Sequence, residues 1–299
     1  DYFTTMTMTS PATAQAANMA AKIAEIYPDA WAETIRALMV HSAEWTSTMI
    51  RQIFKERKLE NTTKGERRKL LRLVGYGVPN LDRALYSASN SVNLVVENEI
   101  QPFKKKGSSI SINEMALHEI PWPKEVLIEL GGTPVKMRVT LSYFIDPSPG
   151  EIGWEDKYRY PGCRLYFDVN NVNEDKERFL ARINKKMRNE EYNKKSAGDP
   201  SGRWFLGENN RNVGSIHSDI WEDTAANLAE NRFLAVHPGG GWWKDRSGLG
   251  EYNSKIRYSL IISLSTPEQS IDLYTPIKNM VTEITNKKAI ETKIKYDGN

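Results

Sequence analysis

Hydrophobic residues near the start of the chain recur at the period of a helix. Ala12, Ala16, Met19, Ala20 and Ile23 share one stripe, and the segment predicts a helix from Pro11 to about Tyr27, closed by "YPD". Its small residues fall where a backbone comes close to its neighbours, so the helix is expected to be buried. A second helix is expected from Ala30 to about Ser42, with Trp31, Ile35, Leu38 and Met39 on its inner side. Ile50, Ile53 and Phe54 then alternate with Arg51, Lys55, Arg57 and Lys58. A short basic helix around Arg67 to Leu73, a glycine turn at Gly75 and Gly77, and one more short helix in "VPNLDRALYSA" complete this part.

After about Ser91 the period changes. "SVNLVVENEI", "SSISINEMALHEI", "KEVLIELGG", "VKMRVTLSYFID", "GCRLYFDV", "RFLAVHP" and "IRYSLIISLST" are strand-length, rich in Val, Ile, Tyr and Phe, and bounded by Gly, Pro and Asn. One helix interrupts them, from about Glu174 to Tyr192, with Phe179, Ile183 and Met187 on one face. "PFKKKGSS" reads as a charged turn, "NKKSAGDPSGRW" as an exposed loop, and the last dozen residues as a fraying end. The pattern predicts an α+β chain: a helical part over residues 1–90, then a β-sandwich domain over residues 91–299 with one inserted helix.

Composition narrows the classes. The 299 residues suffice for two domains, and 39% hydrophobic with 10% aromatic residues describe a globular chain. A formal charge of +3 gives no strong field toward nucleic acid or an acidic membrane. The basic run from Arg51 to Arg72 is broken by Glu56, Glu60 and Glu66, so no nucleic-acid partner is expected. No segment approaches the roughly 18 apolar residues of a membrane span, and no membrane partner is expected. The single cysteine, Cys163, excludes an internal disulfide and favours a reducing, cytoplasmic setting.

Two regions carry candidate chemistry. Ser10 followed by Pro11 is a good helix entry, with Ser10 at or beside the N-cap and Pro11 at the first helical position. A serine there also stands where free backbone N–H groups and the positive helix end stabilise an oxyanion, which suits a nucleophile in acyl transfer. The stretch "GSIHSDIWEDTAANLAENRFLAVHPGGGWWKD" gathers His217, Asp219, Glu222, Asp223 and His237 with Trp221, Trp242 and Trp243. Its histidines and carboxylates suit a metal, zinc or calcium, or else the acids mark the start of a helix from Asp219 to Ala226; its tryptophans suit a sugar or peptide surface, or else a buried sandwich edge. No spacing matches a recognised metal site, and no cofactor is expected. His41, His118, His217 and His237 are the only histidines, and Ser10 lacks the Gly-x-Ser-x-Gly elbow of an α/β-hydrolase.

"TSPATAQAANMAAKIAEIYPDAWAETIRALMVHSA" resembles the nucleophile region of subtilisin-like serine peptidases, the subtilase family. There a Gly-Thr-Ser-x-Ala-Thr/Ser motif opens a long buried helix and a second helix follows a "YP" turn. "GYGVPNLDRALYSA" resembles the segment that closes that domain, and "VKMRVTLSYFIDPSPG" resembles a strand and turn of β-sandwich domains appended to large bacterial subtilases. The resemblance implies that residues 1–90 are the C-terminal helices of a subtilisin-like α/β domain, followed by a jelly-roll-like β-sandwich. It implies a serine endopeptidase with Ser10 as nucleophile, the Ser10 N–H as half of the oxyanion hole, and Thr9 and Ala12 as flanking motif positions. His41 falls at a structural position. The family's Asp, His and oxyanion-hole Asn precede the serine, so they are expected in an upstream half supplied as a companion fragment or chain. A peptide or protein is the implied substrate, and an ATPase is a partner class that related bacterial subtilases use. Met8 stands where the family has glycine, which favours the alternative of a non-catalytic protein- or glycan-binding module on a degenerate subtilase scaffold.

Overall fold

The computed structural model describes residues 8–86, 91–150, 159–191, 202–267, 271–278 and 292–295. The "DYFTTMT" start and most of the "NKKSAGDPSGRW" loop lie outside the described residues. Helices come first: α1 (Thr9–Ile26), α2 (Ala32–Ser42), α3 (Ser47–Phe54), α4 (Lys64–Val74) and α5 (Leu81–Leu85). Their entries are chemically set. Thr46 accepts from the Met49 N–H at 3.3 Å to cap α3, Asn80 caps α5, and Thr63 and Glu66 form a reciprocal capping box on α4. The basic helix is therefore one turn longer at its start than its hydrophobic pattern predicts. Behind α4, Gly77 has φ +97 and a Cβ there would lie 2.0 Å from the Glu44 carbonyl oxygen, so only glycine lets this turn pair with Glu44.

The remainder of the described residues holds two four-stranded antiparallel sheets and one hairpin. The strands are β1 (Ser91–Ile100), β2 (Phe103–Lys106), β3 (Ser109–Ile112), β4 (Glu114–Glu119), β5 (Pro134–Tyr143), β6 (Arg164–Val169), β7 (Ile216–Thr224), β8 (Phe233–Gly239), β9 (Ile256–Ser265) and β10 (Thr292–Lys295). One sheet runs β1-β9-β5-β7, the other β10-β4-β8-β6, and β2 pairs with β3. Helices α6 (Lys124–Leu130), α7 (Lys176–Glu191), α8 (Glu208–Arg211), α9 (Ala225–Leu228) and α10 (Trp242–Asp245) lie between strands. Helices and antiparallel sheets together make an α+β fold. Side chains from both sheets, with Phe179, Ile183 and Met187 of α7, form one hydrophobic cluster.

Three elements differ from expectation. "KEVLIELGG" is helix α6, not a strand: Leu127 is buried with Val126 and Leu130 half-buried, a helical spacing, while Ile128 stands exposed. Residues from Asp219 do not start a helix; Ile216–Thr224 is strand β7, whose alternation is disguised because His217 and Asp219 face inward. Residues 292–295 do not fray but pair with Glu114–Leu117 of β4.

The first sheet has two opposite faces. Inward rows such as Val92–Leu264–Met137–Trp221 are apolar. Outward rows are polar: Ser91–Ser265–Lys136–Glu222, then Asn93–Ser263–Arg138–Ile220, then Val95–Ile261–Thr140–Ser218, then Glu97–Ser259–Ser142–Ile216. Helix α2 lies across the last two rows. Ile261 is fully buried and joins Ile23, Ala37, Leu38, Ala84 and Leu85 in a second, smaller cluster. Around it every anchor is polar. Arg36 donates to Ser142 Oγ at 3.0 Å, Tyr143 O at 2.6 Å and Ser215 O at 2.7 Å. His41 bonds Thr140 Oγ1 at 2.9 Å and Ser263 Oγ at 2.8 Å. At the other end of α2, Glu97 accepts from the Trp31 N–H at 2.7 Å and from the Thr34 hydroxyl.

Arg138 closes this seam. Its guanidinium donates to Val40 O at 3.0 Å, Ala43 O at 2.7 Å and Ser218 Oγ at 3.1 Å. The first two are carbonyls at the C-terminal end of α2, where intrahelical partners run out and the helix dipole favours a cation. Sheet and helix are thus joined by satisfying each other's polar groups.

Arg36→Met removes the donors to Ser142, Tyr143 and Ser215 and leaves their oxygens beneath α2. A loss of roughly 2–3 kcal/mol is expected by urea denaturation followed through tryptophan fluorescence; a loss below about 0.5 kcal/mol would contradict the seam.

Burial also keeps three histidines neutral. It lowers His41 well below its ordinary value, with Arg138 and Arg83 adding to the effect, and takes His118 and His217 down to about 4. The unfolded chain protonates them near pH ~6.5, whereas the folded chain does not. Their contribution is therefore complete above that pH and declines as pH falls toward about 4. The urea midpoint is expected to be lower at about pH 5 than at about pH 7, and His118→Gln should remove part of the difference. Equal midpoints would refute this.

Candidate functional site

Helix α1 opens at Met8, whose side chain supplies no cap and is 69% exposed. Ser10 therefore sits in the first turn, two positions past the cap residue Met8, with Pro11 after it, rather than Ser10 capping and Pro11 leading. Thr9, Ser10 and Ala12 are exposed, and Ile23 is the one buried residue of α1. The alanine stripe expected to be buried is open along most of its length: Ala16, Met19 and Ala20 are half-buried. The first-turn N–H groups, which receive no side-chain acceptor among the described residues, make up a positive helix end beside a serine hydroxyl, which is chemically an anion-favouring corner.

No histidine among the described residues is bonded to Ser10. His41 is spent on Thr140 and Ser263, His118 on the Tyr258 hydroxyl at 2.8 Å, His217 on Gly214 O at 3.2 Å, and His237 on Asp168 at 2.9 Å. His41 thus holds α2 to the sheet.

The cluster in "GSIHSDIWEDTAANLAENRFLAVHPGGGWWKD" is dispersed by the fold. Glu222 pairs with Lys136 at 2.9 Å on the outer sheet face, and Asp223 with Arg203 at 2.7 Å. Asp219 is buried; it accepts from the Leu206 N–H at 2.7 Å and the Gly207 N–H at 2.9 Å, with Arg211 at 3.5 Å. Burial raises its carboxyl above the ordinary range, against Arg211 and those N–H groups. Among the described residues no group of three or more His, Cys, Asp or Glu could hold a metal ion. Trp242 and Trp243 do not face a ligand either. Both are buried, Trp242 donating to Asp146 O at 3.0 Å and Trp243 to Asp146 Oδ2 at 2.8 Å.

What the sequence does not disclose is an ion cluster between β6, β8, α7 and α8. Asp168 receives Lys186 at 2.7 Å and His237 at 2.9 Å, and Lys186 also reaches Glu208 at 3.1 Å. Burial opposes the charge on Asp168, yet Lys186 and His237 outweigh it and hold the carboxyl below its ordinary range. Its members are 18 to 69 residues apart, so no local spacing announces them. Every charge has a partner, and the cluster fastens α7 to its sheet.

No helix among the described residues is long and apolar enough to cross a membrane. No curated protein and no solved structure matches the chain. The model of the Subtilase family, peptidase family S8, matches residues 1–77, a span that carries Thr9, Ser10, Ala12, α1, α2 and the Gly75–Gly77 turn. The chain is therefore similar to the Subtilase family over residues 1–77, the part that carries its first helices.

Proposed function

We propose that this chain is the C-terminal portion of a subtilisin-like serine endopeptidase in which Ser10 is the nucleophile. The observation that carries the reading is the exposed Ser10 in the uncapped first turn of an 18-residue helix, inside the span that matches the family. An imidazole supplied by an upstream half takes the Ser10 proton as Oγ attacks a peptide carbonyl. The Ser10 N–H and an upstream amide then stabilise the oxyanion, and water hydrolyses the acyl-enzyme. Thr9 and Ala12 shape the turn on either side. The open alanine stripe of α1 is the surface that the upstream half covers, because small side chains let another backbone approach closely.

In this reading residues 1–90 close the peptidase domain and residues 91–299 form an appended β-domain. The strand orders β1-β9-β5-β7 and β4-β8-β6 interleave early and late strands as a jelly roll does, which supports the expected sandwich. The role left to this domain is to brace the helices through the seam of α2. A cytoplasmic setting and an ATPase partner remain part of the same reading.

One observation favours a second reading, a scaffold without catalysis. Met8, the N-cap residue of α1, occupies the position where the family motif has glycine, and its side chain is exposed.

Fluorophosphonate labelling with peptide mapping decides between them. The chain alone should give no adduct on Ser10. Co-expressed with the upstream half of the peptidase domain, it should be labelled on Ser10, and Ser10→Ala should abolish both label and peptide hydrolysis. An unlabelled Ser10 in that assembled pair would sink the peptidase reading, and labelling restored by Met8→Gly would assign the loss to that residue.

A further inference from the structure

The first two outward rows of the sheet extend beyond α2. Together with Trp45 and Phe205 they line a cleft of about 760 Å³. Its floor is four strands wide, which at ~4.8 Å per strand spans roughly 14 Å, the length of four or five residues of extended peptide. One wall is aromatic: the Trp45 and Phe205 rings lie 5.6 Å apart, and the Arg67 guanidinium sits 4.1 Å from the Phe205 centroid.

Charge in the cleft is unbalanced. Five cations line it, Arg67, Arg83, Lys136, Arg138 and Arg203, against Glu44, Glu60 and Glu222. Arg83 is paired with Glu44, Lys136 with Glu222, and Arg203 with Asp223 just outside. Arg67 and Arg138 are different. Arg67 donates to Phe205 O, Glu60 O and Thr62 Oγ1, and Arg138 to two carbonyls and a hydroxyl, so their bonds go only to neutral acceptors. Burial depresses Arg138 to about 10, with Arg83 adding to the effect and Glu44 and Asp219 only partly opposing it, so the charge is held at a cost. A carboxylate entering the cleft would relieve that cost and form a charge-assisted bond.

We propose that this cleft binds an acidic, extended peptide segment, with Arg138 and Arg67 receiving its carboxylates and the Trp45–Phe205 wall an apolar side chain. Ser91 and Ser265 of the floor offer hydrogen bonds to its backbone. The site is separate from Ser10 and stands whether or not Ser10 is a nucleophile.

The probe is a fluorescein-labelled hexapeptide of alternating glutamate and phenylalanine, titrated with the full 299-residue chain and read by anisotropy. Binding in the micromolar range is expected, weakening as salt rises. A lysine–phenylalanine counterpart should bind at least tenfold more weakly. Arg83→Glu combined with Lys136→Glu reverses two exposed rim charges without touching the seam, and should weaken the acidic peptide at least tenfold. Trp45→Leu should weaken it several-fold, and Ser10→Ala should leave it unchanged. Equal affinity for the lysine peptide, an unaltered affinity in the double reversal, or no binding would overturn the proposal. So would equal binding of a single-stranded oligonucleotide of the same charge, which would make the cleft a general polyanion site.

Discussion

The structure depends on a sheet whose second face is polar rather than apolar. A β-sheet with one oily and one wet face ordinarily leaves the wet face to solvent. Here α2 lies on it, and most of the polar groups buried in the contact meet another, Ser259 Oγ being left without a partner. Arg138 answers the carbonyls ending α2, His41 bridges two hydroxyls, Glu97 receives the α2 entry, and Arg36 holds three groups on the sheet. Removing one partner from such a network leaves the other buried and unsatisfied, so it specifies register and orientation more sharply than apolar packing would.

That constraint explains the layout of function. The segment matching the Subtilase family is anchored through α2 and leaves α1 open toward solvent, with Ser10 at the far end from the anchor. The same polar rows that bind α2 continue past it and form the floor of the cleft. One face of one sheet thus serves both as a dock for the helices and as a surface for a ligand.

Much of this was legible in the sequence where a period was clean. The stripes Ile23 and Leu38, the runs from Ser91 and Ile256, and the α7 face Phe179–Ile183–Met187 all predict their elements. Legibility failed where polarity and burial part company. His217 and Asp219 are polar yet face inward, so β7 hid as a helix start. "KEVLIEL" is rich in strand formers but places Val126, Leu127 and Leu130 at helical spacing. The tryptophans at 242 and 243 left a ligand surface and a buried edge both open in the sequence; the structure buries them, and Asp146 holds them from across the chain. The seam itself was illegible: Arg36, His41 and Arg138 are single polar residues whose meaning lies in partners 80 to 222 positions away.

The central claim is that the helical segment and the first sheet form one cooperative unit through this polar seam. Native-state hydrogen exchange under increasing denaturant tests it most directly. The account predicts that the amides of α2 open together with those of β9 and β5, at the same free energy and with the same denaturant dependence. Exchange of α2 at distinctly lower denaturant, while β9 stays protected, would show that the helices only rest on the sheet and would contradict the account.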